Sequence, residues 1–213
     1  MKPNPRINVN TVNKSKIKSK TRRSIKKQKT VKLTIVGSNA DGLSCKKDSL
    51  LKNIDKLKPA VFMVQESKFR RKGLFKAKNY EIFEQIRSGA GGSLLTGVHK
   101  NLNPVLVSDG LEDNIEIMVV QGEVNGKQIR FINGYGPQEY AASDDRIRFF
   151  ARLEEEIVLS KLNGCMTFVE MDANAKLGPE WINEDPHPQS QNGALLHTII
   201  VRNNLSVLNT SKN

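Results

Sequence analysis

The sequence predicts an α+β fold in which two packed, mainly antiparallel β-sheets are flanked by helices, forming a four-layer α/β/β/α sandwich. From residue 31 onward, apolar runs of five to eight residues alternate with turn signals and a few amphipathic helical segments. Two of these runs are joined by Asn125-Gly126, the strongest short hairpin signal in the chain, which indicates antiparallel pairing. Helices that are apolar on one side can cover the outer faces of two such sheets.

The first part of the folded region predicts a strand, a helix and a second strand. Apolar and polar residues alternate over 31–38, which is typical of a strand. A helix is expected to begin at Asp48 as its capping residue and to stop at Pro59, because proline lacks the N–H that a helix needs. Residues 60–65 are almost all apolar, which predicts a strand buried in a sheet.

The rest of the chain predicts further strands and two helices. Acidic residues near Ser143 favour the start of a helix, and the apolar positions that follow predict that it continues over 144–162. The other predicted elements are strands at 80–86 and 92–98, a strand on either side of the Asn125-Gly126 turn, a strand at 166–172, a helix at 194–203 and a last strand at 205–209.

Positive charge is concentrated in an N-terminal arm. The 213 residues carry a formal net charge of +12, and residues 1–30 contain eleven Lys or Arg and no acid. Such a segment cannot bury enough apolar surface to fold alone, so we expect a disordered arm over 1–30 and one folded domain over 31–213. The arm is expected to contact phosphates or act as a nuclear address, and a merely solubilising terminus is an equal alternative. The residues expected to bind nucleic acid are Arg22, Arg23, Lys26, Lys27 and Lys29.

Several other classes of protein are excluded by the sequence. No apolar run approaches the roughly 18 residues that a membrane-spanning helix needs, and the N-terminus lacks the apolar segment of a secretory signal. We therefore expect a nuclear or cytoplasmic protein that is not secreted and has no membrane partner. Cys45 and Cys165 lack metal-ligand spacing, so neither a zinc site nor a disulfide framework is expected, and both are predicted to be buried thiols.

Polar residues that an apolar core would not accept follow several predicted strands. Asp172 and Asn174 stand two residues apart, so on an extended segment they share a face. A carboxylate there can bind a hard metal or take a proton, and an amide can donate to a phosphate oxygen. Each motif alone is more often a solvated strand end or a simple turn. The other sets are Asn39 with Asp41-Gly42, Gln65-Glu66-Ser67 and Asn133-Gly134-Tyr135-Gly136-Pro137.

Taken in order, these motifs resemble those of the endonuclease/exonuclease/phosphatase superfamily, which is DNase I-like. The resemblance comprises Asn-x-x-Gly after the first strand, Gln-Glu-Ser in place of Gln-Glu-Thr, Tyr-x-Pro and Asp-x-Asn, and it covers residues 31–213. The stretch from Met171 to Gly178, followed by Asn192-Gly193, is most similar to the endonuclease domains of non-LTR retrotransposons.

This resemblance implies a Mg²⁺-dependent phosphodiesterase that nicks DNA, with Mn²⁺ as an alternative metal. It also implies a retroelement-type polyprotein in which a reverse transcriptase domain follows. Glu66 is implied to bind the metal, with Asn39 as a neutral ligand or an orienting group. Asp172 is implied to orient or deprotonate the attacking water, and Asn174 and Tyr135 to contact the phosphate.

Two departures from the family pattern stand in the sequence. Met171 and Ala173 replace a glycine and an aromatic residue of the fourth motif, and no Asp-His pair occurs where the family has one on a late strand. The expectation is a domain truncated before its last strands, with weak or no activity alone. Two alternatives stay open: a noncatalytic nucleic-acid-binding pseudoenzyme, and a phosphatase that acts on a small phosphoester.

Overall fold

Two β-sheets pack face to face and carry helices on both outer faces. A computed structural model describes residues 8–11, 32–89, 91–110, 115–179 and 187–208. The strands are β1 (Asn8–Thr11), β2 (Thr34–Asn39), β3 (Val61–Gln65), β4 (Tyr80–Gln85), β5 (Leu94–His99), β6 (Val105–Asp109), β7 (Ile117–Val124), β8 (Lys127–Tyr135) and β9 (Met166–Asp172). The α-helices are α1 (Lys47–Leu57), α2 (Ser143–Leu162) and α3 (Gln191–Arg202), and Lys100–Leu102 forms a short 3₁₀ helix.

The strand order confirms the predicted mainly antiparallel sandwich and adds two parallel pairs. The first sheet has the order β1-β2-β3-β5-β4, and the second has the order β6-β7-β8-β9. Only β2 with β3 and β8 with β9 run parallel among the described strands, and the chain between the members of each pair contains α1 or α2. Because parallel strands need such a crossover, each pair and its helix form a βαβ unit.

Three apolar cores separate the four layers. The core between the sheets includes Met63, Val98 and Phe131, all with 0% exposure. A second core packs α1 against the outer face of the first sheet through residues such as Ile54 and Phe62. The third includes Phe149, Leu153 and Ile199 and packs α2 and α3 against the second sheet. The helices therefore cover both outer faces, as the sequence predicts.

The helix ends differ in detail from the predicted ones. The residue that precedes α1 is Lys46, which makes no side-chain capping bond, and Asp48 lies inside the first turn. Asp48 still suits that turn because its negative charge lies near the positive end of the helix dipole. α3 begins three residues before the predicted start because the side chain of Ser190 accepts a hydrogen bond from the Gly193 N–H at 3.1 Å.

Two strand predictions need correction. β6 was not predicted, because its apolar side chains are exposed at an edge of the sheet and show no alternation of buried and exposed positions. The predicted last strand does not form at 205–207, where the chain has no regular secondary structure, and residue 209 lies outside the described residues. Cys165 is buried as expected, but Cys45 is exposed because it lies in the turn before α1.

A short segment of the basic arm forms the edge strand β1. Its four residues pair antiparallel with β2, with Asn8 opposite Gly37 and Thr11 opposite Thr34. The expectation of a disordered arm over 1–30 stays a prediction, because the other residues of the arm lie outside the described residues. The predicted nucleic-acid-binding residues of the arm, from Arg22 to Lys29, lie outside the described residues.

Candidate active site

The candidate site is built around one asparagine that joins the two sheets. Asn39, the last residue of β2, donates from Nδ2 to Glu66 Oε1 at 2.9 Å and to Asp172 Oδ2 at 2.6 Å. Its Oδ1 accepts the N–H of Asp41 at 2.9 Å. The amide orientation follows from these partners, since Oδ1 could not face two carboxylates without repulsion. Two carboxylates on different sheets are thus held against one nitrogen.

The parallel strand pairs explain this convergence. Asn39 ends β2 opposite Gln65 of β3, so Glu66 follows directly beside it. In the second sheet Tyr135 of β8 is opposite Asp172 of β9. The two strands of each parallel pair have their carboxyl ends side by side. The face-to-face packing of the sheets brings the carboxyl ends of the two pairs together.

A lysine already neutralises part of the site. Lys68 Nζ lies 3.3 Å from Glu66 Oε2 and 2.5 Å from Asp41 Oδ1, and these two carboxylates raise the pKa of the Lys68 ammonium. The backbone at Asp41, Glu66 and Lys68 has φ angles of 44°, 49° and 54°. Left-handed backbone costs free energy at such residues, and a concentration of it is typical of functional sites.

Tyr135 lies beside Glu66 and stays protonated at neutral pH. Burial raises the pKa of its hydroxyl to about 12, and a hydrogen bond to the Glu66 carboxylate adds to the rise. Hydrogen bonds from Gln138 and Asn174 to the same hydroxyl oppose it. The Gln138 Nε2 atom is 3.2 Å from the hydroxyl oxygen. The phenol can therefore donate a proton in a hydrogen bond but does not ionise near pH 7.

Asn174 is held by the turn on which it lies. Its φ angle is 45°, its N–H donates to Asp172 Oδ1 at 3.1 Å, and its Nδ2 donates to the Gly136 carbonyl at 2.8 Å. Asn192, which has 0% exposure, donates to the carbonyls of Asn174 and Pro137 at 3.0 and 2.8 Å. The first turn of α3 thus anchors the loops that follow β8 and β9.

Glu116 connects two segments that support the candidate site. Its Oε1 accepts the Ser93 N–H at 2.5 Å, and its Oε2 lies 3.1 Å from Arg87. Its backbone carbonyl accepts the Tyr135 N–H at 2.9 Å. Burial raises the pKa of the Glu116 carboxyl, opposed by the hydrogen bond from Ser93 and by Arg87. One residue thereby connects the glycine-rich loop 87–93 with the strand that carries Tyr135.

Gln65 and Asn133 are buried below the site. They have 1% and 0% exposure, and Gln65 Nε2 donates to Asn133 Oδ1 at 2.8 Å across the two sheets. Asn133 Nδ2 in turn donates to Thr96 Oγ1 and to the Leu95 carbonyl, both at 3.1 Å. The expectation that a core would not accept these residues is therefore wrong, because their polar atoms are paired.

The donor set suits a small hard cation. Mg²⁺ is usually bound through one or two carboxylates together with water and substrate phosphate, and Glu66 supplies a carboxylate with hard oxygens, with the Asp172 carboxylate on the same Asn39 amide. Over the described part of the chain, no group of three or more His, Cys, Asp or Glu side chains is arranged to hold a metal. The fit to such an ion rests on the Glu66 carboxylate, because one carboxylate with water and substrate phosphate is a usual Mg²⁺ set.

The structure brings together most of the residues predicted from the sequence. Asn39, Glu66, Asp172 and Tyr135 converge, and Asn174 adjoins them through Tyr135. The predicted motifs do not include two neighbours, Lys68 and Gln138, and they include Asp41 beside Asn39 without a role of its own. Asp41 and Lys68 follow Asn39 and Glu66 by two residues, and Gln138 follows Pro137, so proximity to each motif was the available signal.

Comparisons with known proteins agree with this architecture. No family model matches the chain, and no curated protein sequence matches it either. Among solved structures, the endonuclease domain of TRAS1, a telomere-specific non-LTR retrotransposon, matches with a TM-score of 0.57 and 16% identity, covering 79% of this chain and 69% of that chain. An AP endonuclease from Archaeoglobus fulgidus matches with a TM-score of 0.56 and 15% identity, covering 80% and 70%. The catalytic domain of Xenopus laevis APE2 matches with a TM-score of 0.62 and 17% identity, covering 77% and 66%.

The chain therefore forms a four-layer sandwich with a carboxylate cluster at the ends of its parallel strands. Its fold is the DNase I-like fold that these solved structures share. Among the described residues, no helix is both long and apolar enough to cross a membrane.

Proposed function

We propose that this chain hydrolyses phosphodiester bonds in DNA with the help of Mg²⁺ or Mn²⁺, as a nicking endonuclease of the retroelement type. The single observation that carries the proposal is the bridge from the Asn39 amide to Glu66 and Asp172, which holds two carboxylates together at one end of the sandwich. The TRAS1 domain and the AP endonucleases share the fold, which supports a nucleic-acid substrate.

Each side chain has a role that its contacts support. Glu66 would hold the metal, and Asn39 would orient both carboxylates, because its Nδ2 faces them and its Oδ1 is engaged by Asp41. When bound, the ion would polarise the phosphate and stabilise the leaving oxygen. Asp172 would take the proton of the attacking water as the new P–O bond forms and the original one breaks.

The phosphate itself would be contacted by neutral donors. Tyr135 keeps its proton at neutral pH, so its hydroxyl can donate to a nonbridging oxygen. Asn174 would turn to the phosphate the amide hydrogen that now faces the Tyr135 hydroxyl and keep its bond to the Gly136 carbonyl. A following reverse transcriptase domain and a nuclear or cytoplasmic location stay predictions of the sequence.

A supercoiled-plasmid nicking assay tests the proposal. Asp172→Asn should lower the nicking rate about 10²- to 10⁴-fold, the range for loss of a general base. Glu123→Gln is the matched control, because Glu123 is an exposed carboxylate on β7, and it should nick at the wild-type rate. Equal rates for Asp172→Asn and the wild type would contradict the assigned role.

A second measurement separates metal binding from turnover. The Mn²⁺ affinity, measured by electron paramagnetic resonance, should fall at least about tenfold in Glu66→Gln. Even the loss of a residue that only supports a metal ligand usually lowers metal affinity that much. Glu123→Gln again serves as the control. Unchanged Mn²⁺ affinity in Glu66→Gln would refute the proposed metal ligand even if the wild-type protein nicks DNA.

Nucleic-acid binding without hydrolysis is a second candidate function. The observation in its favour is Lys68, whose ammonium already pairs with Glu66 and Asp41 and so competes with a metal for them. This candidate predicts DNA binding with no nicking and no Mn²⁺ site. The variant Lys68→Met removes the competing charge. If the chain only binds nucleic acid, this variant should still not nick DNA. If the chain is a metal-dependent nuclease, the variant should bind Mn²⁺ more tightly than the wild type.

A further inference from the structure

We propose that the loop between β3 and β4 is a docking surface for the phosphate backbone of duplex DNA. This surface, called here the basic loop, comprises residues 68–78. It contains six cationic side chains: Lys68, Arg70, Arg71, Lys72, Lys76 and Lys78. The proposal rests on the proposed function only in its choice of ligand, which is the nucleic acid that the adjoining site would cleave.

The charge of the basic loop stands out from that of the folded domain. Residues 31–213 hold 23 basic and 22 acidic side chains, yet the basic loop holds six basic residues and no acid. All six cations are exposed, and among the residues that the structure describes only Lys68 forms an ion pair. Concentrated like charge is unfavourable for a compact fold unless a polyanion neutralises it, and it attracts such a partner.

The backbone of the basic loop is anchored. Phe69 and Phe75 are buried in the core beneath α1, with 4% and 1% exposure. The Lys47 ammonium donates to the Leu74 carbonyl at 2.8 Å, and the Gly73 N–H donates to Glu84 Oε2 at 2.6 Å. The cations therefore project from a fixed main chain, so that binding requires the ordering of side chains alone and costs less entropy.

The basic loop also leads away from the candidate active site. It starts two residues after Glu66, where the Lys68 N–H donates to the Gly92 carbonyl at 3.0 Å. It ends before Tyr80, which pairs with His99 at the opposite end of β5 from Leu94. Five residues of β-strand span about 17 Å, and each DNA strand carries one phosphate per roughly 3.4 Å of helix axis. The loop is therefore long enough to contact several phosphates beyond the one at the site.

The surroundings of the basic loop favour a nucleic acid over a membrane. None of the large exposed apolar side chains in the described residues lies within 68–78, so the loop offers nothing to insert into lipid. Two acids that contact the loop are engaged, because Asp41 pairs with Lys68 and Glu84 accepts the Gly73 N–H. The exposed cations carry the charge that a phosphate backbone requires.

Fluorescence anisotropy of a labelled 20-base-pair duplex tests the proposal with the full chain in EDTA, where no cleavage occurs. The test variant carries Arg70→Gln, Arg71→Gln and Lys72→Gln. The control variant removes the same charge from exposed basic residues elsewhere, through Lys52→Gln, Lys127→Gln and Arg148→Gln. The N-terminal arm is present in every protein compared, so its contribution cancels.

The expected result is a difference in salt dependence. The slope of log K against log salt should fall by about 2 to 3 in the test variant, because each lost phosphate contact removes about 0.9, and by less than about 1 in the control. Equal slopes in the two variants would overturn the proposal. Tighter wild-type binding to phosphatidylserine vesicles than to the duplex, lost in the test variant, would overturn it in favour of lipid. DNA binding is measured here without metal. A negative result in the nicking assay would therefore contradict the proposed function without changing the outcome of this binding test.

Discussion

At the residue scale, Glu170 is a partly buried carboxyl close to the candidate site. Glu170 points between the sheets from β9, two residues before Asp172 on the same face. A Cβ atom at Gly37 of β2 would overlap the Glu170 carboxyl, so glycine at that position makes room for it. Burial raises the pKa of this carboxyl from 4.5 to about 7. The raised pKa means that the folded protein binds the Glu170 proton more tightly than the unfolded chain does.

Glu170→Gln should therefore change how stability depends on pH. The protonated carboxyl imposes no penalty below its ordinary pKa, and stability is lost as the pH rises from about 4.5 toward 7. The variant should match the wild type at pH 4 and exceed it by about 1 to 3 kcal/mol at pH 8. Urea denaturation at several pH values measures this, with Glu123→Gln as an exposed control. A constant difference between variant and wild type at all pH values would contradict the prediction.

At the element scale, the glycine-rich loop 87–93 depends on a carboxylate from the other sheet. The Ser67 N–H donates to the Ser93 carbonyl at 2.9 Å, so the position of this loop affects the residues around Glu66. A Cβ atom at Gly92 would overlap the Glu116 carboxylate, which explains why glycine stands there. The loop is thus a structural support for the site.

Glu116→Ala should loosen this loop. Loss of a hydrogen bond to a charged group costs about 1.5 to 3 kcal/mol, so the Ser93 amide should exchange hydrogen about tenfold to a hundredfold faster. Glu116→Gln should exchange more slowly than Glu116→Ala, because an amide oxygen can still accept the Ser93 N–H. Hydrogen exchange with mass spectrometry measures both variants. Equal exchange in the wild type and Glu116→Ala would show that the loop is held by other contacts.

The buried pair of Gln65 and Asn133 connects the central strands β3 and β8. Asn133→Leu should lower the free energy of unfolding by about 1 to 3 kcal/mol, because it leaves the Gln65 amide buried without its partner. The double variant Gln65→Met with Asn133→Leu should lose less than the sum of the single variants. Urea denaturation measures the cycle, and strict additivity would mean that the pair contributes no coupling.

At the scale of the whole molecule, two βαβ units face each other. The unit β2-α1-β3 belongs to the first sheet and β8-α2-β9 to the second. Each unit ends its two strands beside the candidate site, and Asn39 makes the direct connection between them. The basic loop leaves one of these strand ends. Metal binding, hydrolysis and DNA docking are therefore proposed for neighbouring ends of the same two units.

Local patterns in the sequence predict most of the elements. The residues of α2 and the hairpin of β7 and β8 are predicted well, because amphipathic period and the Asn125-Gly126 turn act over short distances. The strand β9 matches its predicted range at 166–172. The strand β6 and the absence of a strand at 205–207 were not predictable, because an exposed edge strand and a short apolar terminus lack a distinctive period.

The sequence by itself determined the α+β class, the order of the motifs and the chemical types at the strand ends. Only the tertiary structure decided that Asn39 faces both Glu66 and Asp172, that Lys68 neutralises part of the site and that Asn133 is buried with a partner. The physical reason is the distance along the sequence over which each interaction acts. Turns and periodicity depend on neighbours in sequence, whereas a hydrogen bond between residues 133 positions apart depends on how two sheets pack.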